Sequence, residues 1–110
     1  MIKKDLVAAS AVPLVLLILK RGESYGYEII QKVKELSNGE LNWTDGMLYP
    51  VLHKLEKEKL VKSIWRVADT GRKRKYYKIE KAGLRTLKEE KRQWDAVNGA
   101  LGNLWGGSYV

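Results

Sequence analysis

The sequence contains no cysteine, which excludes disulfides, thiolate nucleophiles, zinc fingers and iron–sulfur clusters together. Histidine occurs once, as His53, so imidazole metal clusters and Ser/His machinery needing more than one imidazole have nothing to draw on. No internal repeat, low-complexity tract or linker divides the chain. No nucleophile–base pair, phosphate loop or metal cluster emerges, so the expectation is a protein that is not an enzyme and carries no cofactor or metal.

Long uncharged runs are few. The first, Leu6 to Leu19, follows Lys3 and Lys4 as the core of a signal peptide would. It ends at Lys20-Arg21-Gly22 with no small-residue cleavage site. Interrupted by Pro13, it also falls short of the roughly 20 apolar residues that span a bilayer. The expectation is a core or interface helix in a cytoplasmic, nucleoid-associated protein with no membrane partner. Opening on Met1, the chain is expected to be a whole gene product.

What is present is 110 residues, enough for one compact domain over 1–110. A composition 45% hydrophobic and 31% charged suits an ordered protein. Twenty-one Lys and Arg against thirteen Asp and Glu give a net charge of +8, which favours a polyanionic partner. The surplus is local: between Gly46 and Arg92 there are fifteen basic and six acidic residues.

Asp5 to Arg21 reads as a first helix, apolar nearly all round and stopped by Gly22. One small domain does not easily enclose such a helix, but a second subunit can. Ser24 is a candidate N-cap for a second helix, Tyr25 to Leu36, burying Ile29, Val33 and Leu36. Ser37-Asn38-Gly39 ends it, and Glu40 to Trp43 forms an extended link. Thr44 then caps a third helix, with Asp45 in its first turn. Leu48, Val51, Leu52 and Leu55 form its apolar stripe; Tyr49, His53, Lys54 and Lys57 face the other way, and Pro50 is expected to bend the first turns.

Leu60 to Ala68 turns extended, Asp69-Thr70-Gly71 supplies a turn, and Lys75 to Ile79 returns as the second strand of a hairpin. Trp65 is most simply hairpin core, and of Tyr76 and Tyr77 one should pack beneath the hairpin and the other outside. A final helix from Lys81 to about Leu104 carries a seam of Leu84, Leu87, Trp94, Leu101 and Trp105, flanked by Val97 and Leu104.

Two helices with a short connection, followed by a basic hairpin, make a winged helix-turn-helix. The fold class is mainly α with a β-hairpin wing (α+β): residues 5–21 a dimer or core helix, 24–58 the helix-turn-helix, 60–79 the wing, and 81–105 a C-terminal dimerisation helix. Such a fold places polar side chains of one helix against base edges in the major groove. Its hairpin reaches the flanking backbone or minor groove, and in Gly71 to Lys78 five of eight residues are basic and none is acidic.

Three blocks carry a family resemblance: Tyr25-Gly26-Tyr27-Glu28-Ile29; Leu48-Tyr49-Pro50-Val51-Leu52-His53-Lys54-Leu55-Glu56; and Gly71-Arg72-Lys73-Arg74-Lys75-Tyr76-Tyr77. Over roughly residues 10 to 88 the chain resembles the PadR family of bacterial transcriptional regulators. The resemblance implies a winged-helix repressor acting as a homodimer on an inverted-repeat operator in double-stranded DNA. With its short chain and single C-terminal helix it is similar to the small multidrug-sensing members. In those, a ligand lies at the dimer centre between tryptophans of the two last helices.

Carried onto this sequence, the resemblance starts the recognition helix at Thr44 and Asp45, with Tyr49, His53 and Lys54 on its exposed side contacting groove and phosphates. It makes Arg72, Lys73, Arg74 and Lys75 the wing, places Ser24 and Tyr25 where the preceding helix opens towards a phosphate, and accounts for Pro50. Trp94 falls at the ligand-stacking position, where a small aromatic or cationic ligand is expected, with Glu90 and Asp95 nearby to favour a cation. The dimer interface is expected to comprise Leu6, Leu14, Leu17, Leu87, Trp94, Val97 and Leu101. The glycines of Asn98-Gly99-Ala100 and Gly102 to Gly107 weaken the last helix.

Other readings of the same residues stand beside these. Tyr49 can simply cover its helix, His53 can act as a pH switch instead of facing phosphate, and Trp94 can be dimer packing. For the whole chain, the alternative is a basic module that binds an acidic protein or RNA without duplex sequence preference.

Overall fold

The structure, a computed structural model, describes residues 2–105. Its elements run α1 (Lys4–Arg21), β1 (Ser24–Tyr25), α2 (Gly26–Leu36), α3 (Asp45–Lys57), β2 (Val61–Val67), β3 (Lys73–Ile79) and α4 (Lys81–Trp105). This is a mainly α winged-helix (α+β) architecture, with the helix order and hairpin expected from the sequence. The expected glycine-rich tail divides: Gly99 and Gly102 lie within α4, whereas residues 106–110 lie outside the described part.

The hydrophobic core brings together one face from each helix and the sheet. Val15, Leu16 and Leu19 of α1 meet Ile29 and Val33 of α2, Leu48, Leu52 and Leu55 of α3, Val61 and Tyr77 of the sheet, and Leu87 of α4. Leu36, expected in this core, is 63% exposed: it sits at the last turn of α2, where it borders an open recess with Leu14, Leu17 and Ile18 of α1 instead of packing into the core. Trp43 replaces it from an unexpected place: the link between α2 and α3 folds its indole into the core.

α1 runs unbroken through the buried Pro13 and stops at Gly22. Gly22 has φ 155° and ψ 162°, a region essentially restricted to glycine, which swings the chain off the helix axis and into β1. Both α2 and α3 close with a left-handed residue, Asn38 (φ 53°) and Lys59 (φ 62°). After α3, Leu60 N–H donates to the Leu55 carbonyl and Lys59 N–H to the Glu56 carbonyl, satisfying two orphan acceptors.

The sheet has three antiparallel strands in the order β1-β3-β2, where the sequence indicated a two-stranded hairpin. Val61 to Val67 pairs with Ile79 to Lys73, and the short β1 adds Ser24 opposite Tyr77 and Tyr25 opposite Tyr76. Two residues of strand carry no periodicity, so β1 is invisible in the sequence. It also corrects the expected cap: Ser24 is a strand residue, Tyr25 holds the N-cap position of α2 without a side-chain cap, and α2 begins at Gly26.

α4 crosses the base of the sheet at Gly83 and then continues well past the core, so the molecule extends over 58 × 29 × 21 Å. No helix among the described residues is long and apolar enough to cross a membrane.

Candidate nucleic-acid interface

α3 starts at Thr44, whose hydroxyl accepts the Met47 N–H at 3.2 Å, with Asp45 in the first turn against the positive end of the helix. The helix continues unbroken through Pro50. With Leu48, Leu52 and Leu55 buried, Tyr49, His53, Lys54 and Lys57 are left exposed. Tyr49, His53 and Glu56 follow one another at helical spacing, so they share one face. The Tyr49 and His53 ring centroids are 6.4 Å apart.

The wing joins this face through Glu56. Its carboxylate accepts a hydrogen bond from the Ser63 hydroxyl of β2 at 2.5 Å and lies 3.8 Å from the Lys75 ammonium of β3. One carboxylate of the recognition helix thus holds both strands of the hairpin. Glu56 and Ser63 were not read as interface residues in the sequence; the i+7 spacing from Tyr49 to Glu56 is the signal that was there to use.

Alternation along the strands divides the wing into two faces. Ser63, Trp65, Val67, Lys73, Lys75 and Tyr77 belong to the face turned towards α3. Tyr77 lies at its inner end, 1% exposed, with its hydroxyl unpartnered among the described residues. Burial first, and then the charge of Glu56, push that phenol up to about 12. Further out, Trp65 is 66% exposed and Val67 67% exposed. Trp65 is therefore not hairpin core: the strands outrun the helices that could cover it.

On the opposite face, Arg66 and Arg74 stand directly across from each other, a like-charge pair that is unfavourable unless each finds a partner. Arg66 pairs with Glu23 at 2.7 Å and lies 5.9 Å from the Tyr76 ring centre. Arg74 sits 4.5 Å above the ring of Tyr25, which in turn meets Tyr76 edge-on at 5.1 Å. Tyr25 therefore ties the start of α2 to the wing. Arg72 and Lys73 remain exposed near the tip, while Arg74 and Lys75 are half-buried.

Ser24 does not belong to this surface. It is completely buried, and its hydroxyl donates to Glu28 at 2.6 Å. Its side chain has no path to a phosphate.

A sequence profile of the transcriptional regulator PadR-like family matches residues 15–89, which takes in the end of α1, the helix-turn-helix, the whole wing and the first turns of α4. The chain belongs to the PadR-like family of transcriptional regulators. It is a DNA-binding regulator of transcription and not an enzyme. A solved transcriptional regulator of Clostridium thermocellum is similar to it with a TM-score of 0.85 at 25% identity, over 96% of this chain and 99% of that one. A PadR-like transcriptional regulator of Bacillus cereus has a TM-score of 0.82 at 31% identity, over 96% of this chain and all of its own (100%). A transcriptional regulator of Mycobacterium tuberculosis is 42% identical over 59 residues, 54% of either chain.

This PadR-like regulator also has a groove of about 690 Å³ between α1 and α4. Pro13, Leu14, Leu17, Leu84 and Trp94 give it an apolar floor, and Lys91 and Asp95 border it as an ion pair of 2.5 Å. Asp95 is thus already paired with a cation of the chain, and Glu90 does not line the groove. Of the residues expected at a dimer interface, Leu6, Leu17, Val97 and Leu101 are exposed, and Leu14 and Trp94 are half-buried. Leu87 is the exception. At 5% exposure it is packed into the chain's own core, because α4 lies against α1 and the sheet over its first turns only.

Proposed function

We propose that the protein is a homodimeric repressor that binds an inverted-repeat operator in double-stranded DNA. The observation that carries this reading is the continuity of α3 with the wing. Tyr49, His53 and Lys54 form one exposed polar face, and Glu56 clamps to it a hairpin bearing Arg72, Lys73, Arg74 and Lys75. Thr44 and Asp45 open the helix that enters the major groove, and the wing lies along the flanking minor groove. Tyr25 acts by holding Arg74 and the wing in place. Exposed or half-buried apolar residues of α1 and the outer half of α4 (Leu6, Leu14, Leu17, Trp94, Val97, Leu101) form the surface that a second subunit covers. Two-fold symmetry then separates the half-sites by about one helical turn, ~34 Å. The protein works in the cytoplasm, on the chromosome.

The test is a fluorescence-anisotropy titration of the DNA upstream of the protein's own gene against a scrambled duplex, at several salt concentrations. A preference of about a thousandfold or more is the expected result. Equal binding to both duplexes with a steep salt dependence would reduce the reading to a basic surface, and no binding would overturn it.

A second reading concerns release from the operator. The groove between α1 and α4, with Trp94 in its wall, has the size and apolar lining of a small-molecule site. We propose that a flat aromatic ligand, cationic or neutral, occupies it and shifts the spacing of the two recognition helices. Tryptophan fluorescence checks this: a Trp94→Ala variant that bound aromatic dyes with unchanged affinity would exclude the site.

A further inference from the structure

The outer part of the wing carries two large apolar side chains that the described residues leave largely uncovered. Trp65 and Val67, two residues apart on the edge strand β2, point to the same side and are each about two-thirds exposed, at 66% and 67%. Their cross-strand partners are both cations: Trp65 stands opposite Lys75 and Val67 opposite Lys73. This face is the one turned towards α3, because Ser63, two residues before Trp65 on the same side, donates its hydroxyl hydrogen bond to Glu56.

Apolar and cationic groups alternating across a narrow ribbon match the chemistry of one strand of duplex DNA, in which apolar sugar faces alternate with phosphates. An acidic protein segment would answer the lysines but would leave the indole in water. A single exposed tryptophan needs no explanation. Two adjacent apolar side chains, framed by lysines and continuous with the recognition helix, do.

We propose that Trp65 is a DNA-contacting residue: its indole packs against the deoxyribose faces that wall the minor groove, while the exposed Lys73 meets the adjoining phosphate and Lys75 stays paired with Glu56. The inference rests on the reading of α3 and the wing as the DNA-binding surface, and adds to it a contact that carries no charge. Trp65 therefore contributes affinity without releasing counterions, unlike the exposed Arg72 and Lys73 of the wing.

The experiment uses the full chain and a fluorescein-labelled duplex that the protein itself selects from a random-sequence pool, titrated across a salt series. Trp65→Ala is expected to weaken binding about tenfold with the salt slope unchanged, and Trp65→Phe to retain most of the affinity. Lys73→Ala is expected to lower the slope by about one. Netropsin, which fills the minor groove, should compete with the wild type more strongly than with Trp65→Ala. Trp65→Lys separates the contact from mere charge, since it should bind the selected duplex more weakly than wild type. Unchanged affinity of Trp65→Ala, or tighter binding by Trp65→Lys, overturns the proposal while leaving the DNA-binding surface intact. Failure of the wild type to enrich any duplex overturns the reading beneath it.

Discussion

A methyl group on Gly26 would stand 2.6 Å from the hydroxyl oxygen of Tyr49. The recognition helix therefore lays its first exposed aromatic across the opening residue of α2, and only glycine leaves it room. Because the obstructing atom is the far end of a side chain, the ring can swing away at little cost in stability. Gly26→Ala is expected to leave thermal unfolding within about 0.5 kcal/mol of wild type, since alanine also favours the helix. It should nevertheless alter which duplexes are preferred in a selection experiment, because Tyr49 then approaches DNA from another angle.

Gly83 presents the opposite case. A Cβ there would lie 2.2 Å from the Leu60 carbonyl oxygen and 2.7 Å from Ile79 Cγ1. The first of these is backbone and cannot rotate aside, so α4 must move off the sheet. Gly83→Ala is expected to destabilise the protein by about 2 kcal/mol despite alanine's better helix propensity, as read by urea denaturation.

Lys59 holds a left-handed conformation (φ 62°) to close α3, although a side chain makes that conformation costly. Lys59→Gly should raise stability by about 0.5 kcal/mol, part of the gain being offset by the greater freedom of glycine in the unfolded chain. Its midpoint in urea should move upward with an unchanged slope.

The buried Tyr77 phenol titrates near 12 in the folded protein and near its ordinary 10 when unfolded. The folded state favours the neutral form. Its contribution is complete below pH 10 and is lost as the pH rises from 10 towards 12. Tyr77→Phe removes both the titration and an unpartnered hydroxyl. It is expected to be about 1 kcal/mol more stable at neutral pH and to lose less stability between pH 10 and 12 than wild type, measured by denaturation across that range.

Much of the fold was legible because its signals are local. Thr44 caps α3 as its side-chain chemistry requires, the Leu48–Leu52–Leu55 stripe faces the core, and Asp69-Thr70-Gly71 turns the hairpin. Where the reading failed, the missing information was spatial. Ser24 has the composition of a cap, yet pairing with Tyr77 and a hydrogen bond to Glu28 bury it in a strand. Leu36 continues the apolar period of α2 to its last turn, where it borders an open recess instead of entering the core. Trp65 has strand propensity, which says nothing about whether a strand is covered, and the wing extends beyond the helices.

The sequence by itself determined the helix order, the basic wing and the absence of cysteine chemistry. Each follows from residue type and from periodicities set within a few neighbours. Only the tertiary structure decided that Glu56 clamps the wing to α3, that Tyr25 holds Arg74, and that Leu87 belongs to the core while Trp65 and Val67 stand exposed. These contacts join residues that come together only when the chain packs. Burial is a property of what lies opposite a side chain, which no local pattern records.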